Sequence, residues 1–236
     1  MCGIVGGFWS SDISRVDEQV GNALGRLKHR GPNDKGVHVQ DASGGHLALG
    51  QTRLSIIDLS SGGHQPMHSA DGRYTIVYNG EFYNYQEIKR ELAGLGCAFV
   101  TQSDTEVLLQ AWIHWGVDFL PRVEGMFAFV VYDSHDQTLT CARDAFGIKP
   151  LYYSISESKF VFASDVPAIL ELYDSKPALD WQRCYDYLVH GDYDSQEHTF
   201  FAGLKHLMPG HVLVFDMKSS NVSRLFRWWE PSIERS

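Results

Sequence analysis

The chain opens with Met1-Cys2-Gly3-Ile4-Val5-Gly6-Gly7-Phe8, a short apolar run that is typical of a buried β-strand and that places a cysteine at its start. Removal of the initiator methionine would leave Cys2 with both a thiol and a free α-amine. The amine has an ordinary pKa near ~8 and the thiol one near ~8.5, so a single residue would carry a nucleophile and its own base. The alternative is that Cys2 is a small buried residue at the start of a strand.

The composition is that of an ordinary globular protein, with 236 residues of which 44% are hydrophobic and 21% are charged. This length favours one domain over residues 1–236, large enough to bury a substantial core. The net charge of −9, without long charged runs, argues against nucleic acid or an anionic membrane as a partner. No apolar stretch approaches ~20 residues and no basic-then-apolar leader is present, so we expect neither a membrane helix nor a signal peptide.

The cysteines indicate the redox environment. Cys2, Cys97, Cys141 and Cys184 are widely separated and form no Cys-x-x-Cys pair. This distribution argues against a disulfide scaffold and against a zinc site, and it favours a reducing, cytoplasmic location. We therefore expect no metal in this chain, and we expect the three cysteines other than Cys2 to be inert core residues.

Short runs rich in β-branched and aromatic residues, bounded by turn formers, predict strands. These runs are residues 2–8, 74–79, 126–133, 138–144, 151–155, 159–163 and 211–215. Several follow one another at hairpin distance, which favours antiparallel pairing. Apolar residues at helical spacing predict helices within 16–27, 88–95 and 107–115, and more weakly within 181–188. Together they indicate a single α+β domain of antiparallel sheets with helices on the outer faces.

Two polar segments in the first quarter of the chain each have a structural and a functional interpretation. His29-Arg30-Gly31-Pro32 follows the first predicted helix, where Gly-Pro alone predicts the end of a helix and a turn. Arg53 lies at the edge of an apolar run, where a surface salt bridge is the ordinary expectation. A guanidinium beside apolar walls is also the usual means of binding a carboxylate through two hydrogen bonds.

Two further segments leave the same choice open. Asn79-Gly80 lies between two apolar runs and is a strong hairpin signal, although an Asn amide beside a Gly N–H could equally form an oxyanion hole. Ser103 and Glu106 have the spacing of a capping box at the start of the third helix. Asp104 is not needed for that cap, and a carboxylate in a first helical turn could bind a substrate ammonium.

The last two segments favour no site by themselves. Residues 143–150, Arg-Asp-Ala-Phe-Gly-Ile-Lys-Pro, predict a polar turn between strands. Residues 61–66 begin like the Ser-Gly-Gly pyrophosphate loop of adenylating enzymes. Gln65-Pro66 stands where that loop needs Asp-Ser, so we do not expect a nucleotide site there.

Taken in order, these segments closely resemble the N-terminal glutaminase domain of glutamine-dependent asparagine synthetases, which are class II glutamine amidotransferases and N-terminal-nucleophile hydrolases. The resemblance extends from Cys2 to about Trp229. It is carried by CGIVG (2–6), HRGP (29–32), RLSIID (53–58), YNGEF (78–82), SDTEVLL (103–109), GMFAF (125–129), ARDAFGIKPLYYS (142–154), FASD (162–165) and MPGH (208–211). It implies a four-layer αββα sandwich, in which two antiparallel sheets lie between layers of helices.

The resemblance also implies a role for each matching residue. Cys2 would be the nucleophile, with its α-amine as proton acceptor and donor, and the Asn79 side chain and Gly80 N–H would form the oxyanion hole. The residues implied to bind glutamine, by side chain or by backbone, are Arg53, Leu54, Ser55, Ile56, Ile57, Asn79, Gly80, Glu81 and Asp104. Within this set, Arg53 would hold the α-carboxylate and Asp104 the α-ammonium. His29 and Arg30 would support the site without taking part in the chemistry.

The implied reaction is hydrolysis of L-glutamine through a γ-glutamyl thioester on Cys2, with the ammonia passed to a synthetase domain or subunit. We expect no cofactor in this chain, with ATP and Mg²⁺ confined to a C-terminal synthetase domain that the sequence does not include. A homo-oligomer is compatible with the sequence. Two alternatives remain: a catalytically silent module that binds glutamine or a partner, and the glutaminase half of an enzyme whose acceptor is not aspartate.

Some positions depart from the family pattern. Asn33 stands where the family usually has Asp, Phe82 where it has Ile, and Asp165 where it has Glu. None of these is an implied catalytic residue. We expect Asn33 at most to alter a local turn or the coupling to a partner domain.

Overall fold

In a computed structural model that describes residues 1–11 and 13–232, the chain forms two six-stranded sheets whose strands are all antiparallel. Sheet A consists, in spatial order, of β10 (Leu204–His206), β8 (Tyr152–Ile155), β9 (Lys159–Ala163), β1 (Gly3–Trp9), β3 (Gly45–Arg53) and β2 (Asp34–Ala42). Sheet B consists of β12 (Asn221–Arg227), β11 (His211–Asp216), β7 (Thr138–Arg143), β6 (Gly125–Asp133), β5 (Tyr74–Phe82) and β4 (Met67–His68).

The α-helices of the described residues are α1 (Val16–Leu27), α2 (Tyr85–Gly94), α3 (Asp104–Trp115), α4 (Val166–Leu170) and α5 (Trp181–His190), with short 3₁₀ helices at Ile13–Arg15, Ser61–Gly63 and Gly116–Arg122. The first four α-helices cover the outer faces of the two sheets. Among the described residues, no helix combines the length and the apolar character that crossing a bilayer requires.

Three apolar cores show how the layers are stacked. One lies between the sheets and includes Phe8, Val130 and Phe215. A second joins α2 and α3 to the outer face of sheet B, and a third joins α1 and α4 to the outer face of sheet A. Because successive side chains of a strand point to opposite faces, a strand with helices on one side and a sheet on the other is buried on both. The expected four-layer αββα sandwich is confirmed.

The seven predicted strands are all present, each within a few residues of its expected bounds. Five strands were not predicted: β2, β3, β4, β10 and β12. β3 lies inside the sheet next to the edge strand β2 and is fully buried at Leu47, Ala48 and Leu49, but it ends in polar residues that lack a strand-like pattern. β2 and β12 are edge strands, which carry many exposed polar residues, and β4 and β10 are only two and three residues long.

Two helix predictions need correction. The apolar side chains of α5 do not face the core, since Trp181 is 74% and Leu188 80% exposed. The capping box at α3 forms only in part. Ser103 accepts from Thr105 N at 3.2 Å, as an N-cap should, but the Glu106 carboxylate accepts the N–H groups of residues 100 and 101 in the preceding loop.

Candidate active site

A cavity of about 330 Å³ opens where the N-terminus, the end of β3, the second half of β5 and the start of α3 meet. Its walls include Met1, Cys2, Arg53, Leu54, Ile56, Ile57, Asp58, Gly63, Gln65, Tyr78, Asn79, Gly80, Glu81, Ser103, Asp104, Thr105, Met126, Ile148 and Lys149. The two sheets and α3 therefore bring together polar residues that are far apart in the sequence.

The Cys2 thiol lies at the base of this cavity, one residue before β1. Its Sγ is 3.4 Å from Leu54 N, which donates to it, and 3.8 Å from Leu54 O. Burial raises the pKa of the Cys2 thiol above its ordinary value, while the Leu54 hydrogen bond and the nearby N-terminal amine act in the opposite direction. The Cys2 carbonyl accepts from Arg30 Nε at 3.1 Å, which fixes the backbone that presents the thiol.

Arg53 holds the loop that forms one wall of the cavity. It donates from Nη1 to Ser60 O at 2.8 Å and from Nη2 to Asp58 O. Gly63 packs on the guanidinium so closely that a Cβ there would lie 2.0 Å from Nη2, so a larger residue would displace the guanidinium. These contacts leave further N–H donors of Arg53 for a ligand, and the side chain is otherwise buried.

From residue 78 onward, one edge of strand β5 faces the cavity instead of a neighbouring strand. Phe127, the β6 residue opposite Gly80, uses both its N–H and its carbonyl on Asp144, so Gly80 and Phe127 do not bond to each other. Tyr78 N and Phe82 N, on either side of Gly80, donate to side chains across the other edge. Since strand N–H groups alternate in direction, the Gly80 N–H is directed to that same edge.

The hairpin interpretation of Asn79-Gly80 is therefore wrong, because β5 continues without a turn to Phe82. A Cβ at Gly80 would lie 2.5 Å from Met126 O, which explains the glycine through close packing rather than through a turn. Asn79 is only 1% exposed, and neither its Nδ2 nor its Oδ1 has a hydrogen-bond partner among the described residues. Buried amides are rarely left in this state, and an unpartnered one marks a place where a ligand can bond.

Asp104 begins α3 and is buried against β5. Its Oδ2 accepts from the Tyr78 hydroxyl at 3.1 Å and from Phe82 N at 3.3 Å. Burial raises the pKa of Asp104 in spite of these hydrogen bonds. The Asp104 carboxylate and the Arg53 guanidinium thus border one cavity as opposite charges without bonding to each other.

Most of the residues implied by the sequence lie in the cavity wall. Ser55 does not, since its N–H is directed to Asn33 Oδ1 at 3.1 Å. Asn33, which stands where the family usually has Asp, therefore makes a local hydrogen bond to the backbone of residue 55. His29 and Arg30 lie outside the wall, and His29 Nε2 is 3.6 Å from Asp165 Oδ2.

Several wall residues were given no role from the sequence, among them Gln65, Tyr78, Met126 and Lys149. Gln65 belongs to the segment resembling a pyrophosphate loop, and it is buried, accepting from Tyr78 N at 2.6 Å and donating to Thr105 Oγ1 at 3.1 Å. The same segment supplies Gly63, so it builds the cavity wall. In the sequence, the one available signal for this role is a polar residue, Gln65, directly before a proline.

The expected core cysteines fall into two groups. Cys141 is buried between the sheets, and burial raises its pKa well above the ordinary range. Cys97 is half-buried and packs against the core between α2, α3 and sheet B, whereas Cys184 is half-buried and belongs to none of the three cores.

Comparison with known proteins identifies the family of the chain. A model of the glutamine amidotransferase domain matches residues 1–229. The chain belongs to this family. The amidotransferase domain is 34% identical over 239 residues to asparagine synthetase [glutamine-hydrolyzing] 3 of Bacillus subtilis (strain 168), covering 100% of the chain and 38% of that protein. It is 36% identical over 205 residues to amidase chry2 of Gibberella zeae, covering 87% of the chain and 29% of that protein.

Solved structures agree with the fold of this amidotransferase domain. The glutamine phosphoribosylpyrophosphate amidotransferase from B. subtilis, complexed with ADP and GMP, matches with a TM-score of 0.68 at 18% identity, covering 98% of this chain and 50% of that one. At this identity the match concerns the fold alone. The chain spans well under half the length of the two curated relatives named above.

Proposed function

We propose that this amidotransferase domain hydrolyses L-glutamine to glutamate and ammonia through a γ-glutamyl thioester on Cys2. One observation carries the proposal: the unpartnered amide of buried Asn79 and the Gly80 N–H border the cavity that holds the Cys2 thiol. Donors placed beside a nucleophile before the substrate arrives stabilise an oxyanion at no cost of reorganisation.

The chemistry is an acyl transfer in two halves. The Cys2 sulfur, deprotonated by the α-amine freed when Met1 is removed, attacks the side-chain carbonyl carbon of glutamine. The oxyanion accepts hydrogen bonds from Asn79 and Gly80, and the amine returns the proton as the C–N bond breaks and ammonia leaves. Water, deprotonated by the same amine, then attacks the thioester, and glutamate leaves as the sulfur regains its proton.

Two opposite charges favour an α-amino acid as the substrate. The remaining Arg53 donors suit the α-carboxylate, because a planar guanidinium binds a carboxylate through parallel hydrogen bonds. The Asp104 carboxylate suits the α-ammonium, and Leu54, Ile56, Ile57 and Glu81 border the cavity between these ends. An amide without both charges would leave one of these buried groups unpaired.

The ammonia would serve amidation of a carboxylate by a synthetase domain or subunit, as the names of the asparagine synthetase relatives suggest for the whole enzyme. ATP and Mg²⁺ would belong to that partner. An acceptor other than aspartate is tested by supplying the partner with alternative acids and following amide formation.

The glutaminase proposal is tested by glutamate release from L-glutamine, with an intact-mass measurement on the same sample. We expect turnover in protein that has lost Met1, none in Cys2→Ala, and unchanged turnover in the matched control Cys97→Ala. Turnover that persists in Cys2→Ala would overturn the assignment of the nucleophile. Tight glutamine binding without turnover, after Met1 has been removed, would instead support a silent glutamine-binding module.

A further inference from the structure

Lys149 is a buried cation at the active-site cavity that the proposed chemistry does not yet use. It follows β7, lies in the loop that leads to β8, and is only 5% exposed. Its side chain borders the same cavity as Cys2 and Glu81. Among residues 1–11 and 13–232, no carboxylate or carbonyl is placed within ion-pair or hydrogen-bond distance of its Nζ, so its charge is left for the cavity.

The backbone of Lys149 is fixed at both of its polar atoms. Its N–H donates to Asp144 Oδ2 at 2.9 Å, and its carbonyl accepts from Arg143 Nε at 2.9 Å. Ile148 N also donates to Asp144, at 2.9 Å. Since both anchors are themselves buried, the root of the Lys149 side chain is held rigidly beside the cavity.

The charges that face Lys149 come from several elements. Burial lowers the pKa of its ammonium, and the positive Arg30 acts in the same direction. Glu81 on β5 and the Cys2 sulfur act in the opposite direction, as does Asp144. Of these three groups, Glu81 has the largest effect on the pKa of Lys149, yet it makes no direct ion pair with Lys149. The positive charge of Lys149 and the negative charge of Glu81 therefore have opposite effects on the Cys2 sulfur, and no ion pair between them neutralises either charge.

We propose that the Lys149 ammonium, which borders the same cavity as the Cys2 thiol, adds to the charges that stabilise developing negative charge on the Cys2 sulfur, with the Glu81 carboxylate limiting its effect. Lys149 acts through its field and is a positioning residue rather than a group that touches the reacting atoms. This role of Lys149 in catalysis rests on the proposed thioester chemistry, but the effect of Lys149 on the Cys2 thiol can be measured without glutamine.

Other groups also face the Cys2 thiol and stay constant in the test. The N-terminal amine and Arg53 favour the thiolate, whereas Asp104 opposes it. The buried Tyr78 hydroxyl lies against Asp104 and responds to the charge on Cys2. Variants of Lys149 and Glu81 leave all four groups in place, so a change in thiol behaviour reports the two charges that were altered.

The experiment measures the rate at which iodoacetamide alkylates Cys2 as a function of pH, with the site resolved by peptide mass spectrometry. We expect Lys149→Met to move the midpoint of the profile upward by about one pH unit, which is about a tenfold slower reaction at neutral pH. Lys149→Arg should restore the wild-type midpoint, and Glu81→Gln should move it downward. The matched control is Lys159→Met, since Lys159 is paired with Asp174 away from the cavity.

A midpoint that stays in place in Lys149→Met would overturn the proposal, and so would shifts of the same sign in Lys149→Met and Glu81→Gln. If Lys149→Met does not fold, Lys149→Gln removes the same charge and carries the same expectation of an upward shift. Glutamine turnover measured alongside separates the two claims. Normal turnover with fixed midpoints contradicts only the role of Lys149, and shifted midpoints without turnover in the wild type contradict only the glutaminase proposal.

Discussion

Asp144 and Asn79 are equally buried, at 1% exposure, and they differ in how their polar atoms are used. The Asp144 carboxylate accepts four backbone N–H groups at 2.9 to 3.1 Å, from Phe127, Phe146, Ile148 and Lys149. The Asn79 side chain has no partner at either end. Asp144 thus holds the loop between β7 and β8 in place, whereas the side-chain amide of Asn79 borders an open cavity and makes no hydrogen bond with the described part of the chain.

This difference separates structure from function within one small region. A fully bonded buried carboxylate contributes to the free energy of folding, because every group it bonds would otherwise be buried without a partner. An unpartnered buried amide adds no hydrogen bond to the fold and is available to a ligand. The same contrast applies to Arg143, bonded to three carbonyls, and Lys149, whose ammonium has none among the described residues.

The largest effect on stability is expected for Asp144→Ala. It leaves four backbone N–H groups without an acceptor, which we expect to lower the free energy of unfolding by roughly 3 kcal/mol or more. Urea denaturation of the purified domain measures this. The control Asp136→Ala removes an exposed partner of Arg73 and should cost less than about 1 kcal/mol. Equal losses in the two variants would contradict the structural role of Asp144.

The corresponding loss in catalysis is expected for Asn79→Ala. Removing an oxyanion donor should lower kcat about 10²- to 10³-fold, equivalent to roughly 3–4 kcal/mol in the barrier. Because no hydrogen bond within the domain is lost, the free energy of unfolding should change by less than about 1 kcal/mol. Steady-state glutamate release and urea denaturation on one preparation test both parts. A destabilised but normally active variant would reverse the comparison.

Arg53→Lys should raise the KM for glutamine about tenfold or more. A single ammonium cannot reproduce the fork, and it cannot also hold both carbonyls of the 58–60 loop. The matched control is Arg26→Lys, which alters an exposed pair with Glu171 and should leave KM unchanged. A KM that is unaffected in Arg53→Lys would exclude Arg53 from glutamine binding.

The pH dependence should have two components with defined signs. Burial raises the pKa of Asp104, so the carboxylate is lost on acidification at a higher pH than that of an ordinary aspartate, and KM should rise as pH falls. Burial also raises the pKa of Cys2, so the acylation rate should increase with pH through the mildly alkaline range. Asp104→Asn should give a high KM that no longer varies with acid pH. Profiles of kcat/KM against pH distinguish these components.

The smallest effect is expected far from the cavity, at the start of α5. Asp180 Oδ1 accepts from Arg183 N at 3.1 Å as an N-cap, and Asp180→Ala should cost about 1 kcal/mol of stability. Glutamate release per folded molecule should be unchanged, as measured after normalising to the folded fraction. A loss of turnover would connect α5 to the site, which no contact described above does.

The sequence predicted this molecule well where local pattern and burial agree. β1, β6 and β9 are apolar on both faces and were located closely. β3 was missed because its last residues are polar: Gln51 and Thr52 donate to the carbonyls of Tyr78 and Leu27, and Arg53 borders the cavity. α5 was located, but its exposed face could not be foreseen, since an apolar stripe has the same spacing whatever it faces.

The candidate site could be predicted from the ordered set of motifs, but not from any one segment of the sequence alone. Asn79-Gly80 is a hairpin signal by its two residues alone, and only the tertiary contacts of Phe127 with Asp144 turn the Gly80 N–H toward the cavity. Lys149 and Gln65 could not be placed, because their loops reach the cavity only after both sheets have formed.

The most direct test of the central claim is covalent labelling with a glutamine analogue that carries a diazoketone in place of the side-chain amide. Mass spectrometry then locates and counts the adducts. We predict one adduct per chain, on Cys2 alone, with L-glutamine protecting the site and Arg53→Lys slowing the reaction. Labelling of Cys97 or Cys184, or labelling of Cys2 that glutamine does not slow, would contradict the account.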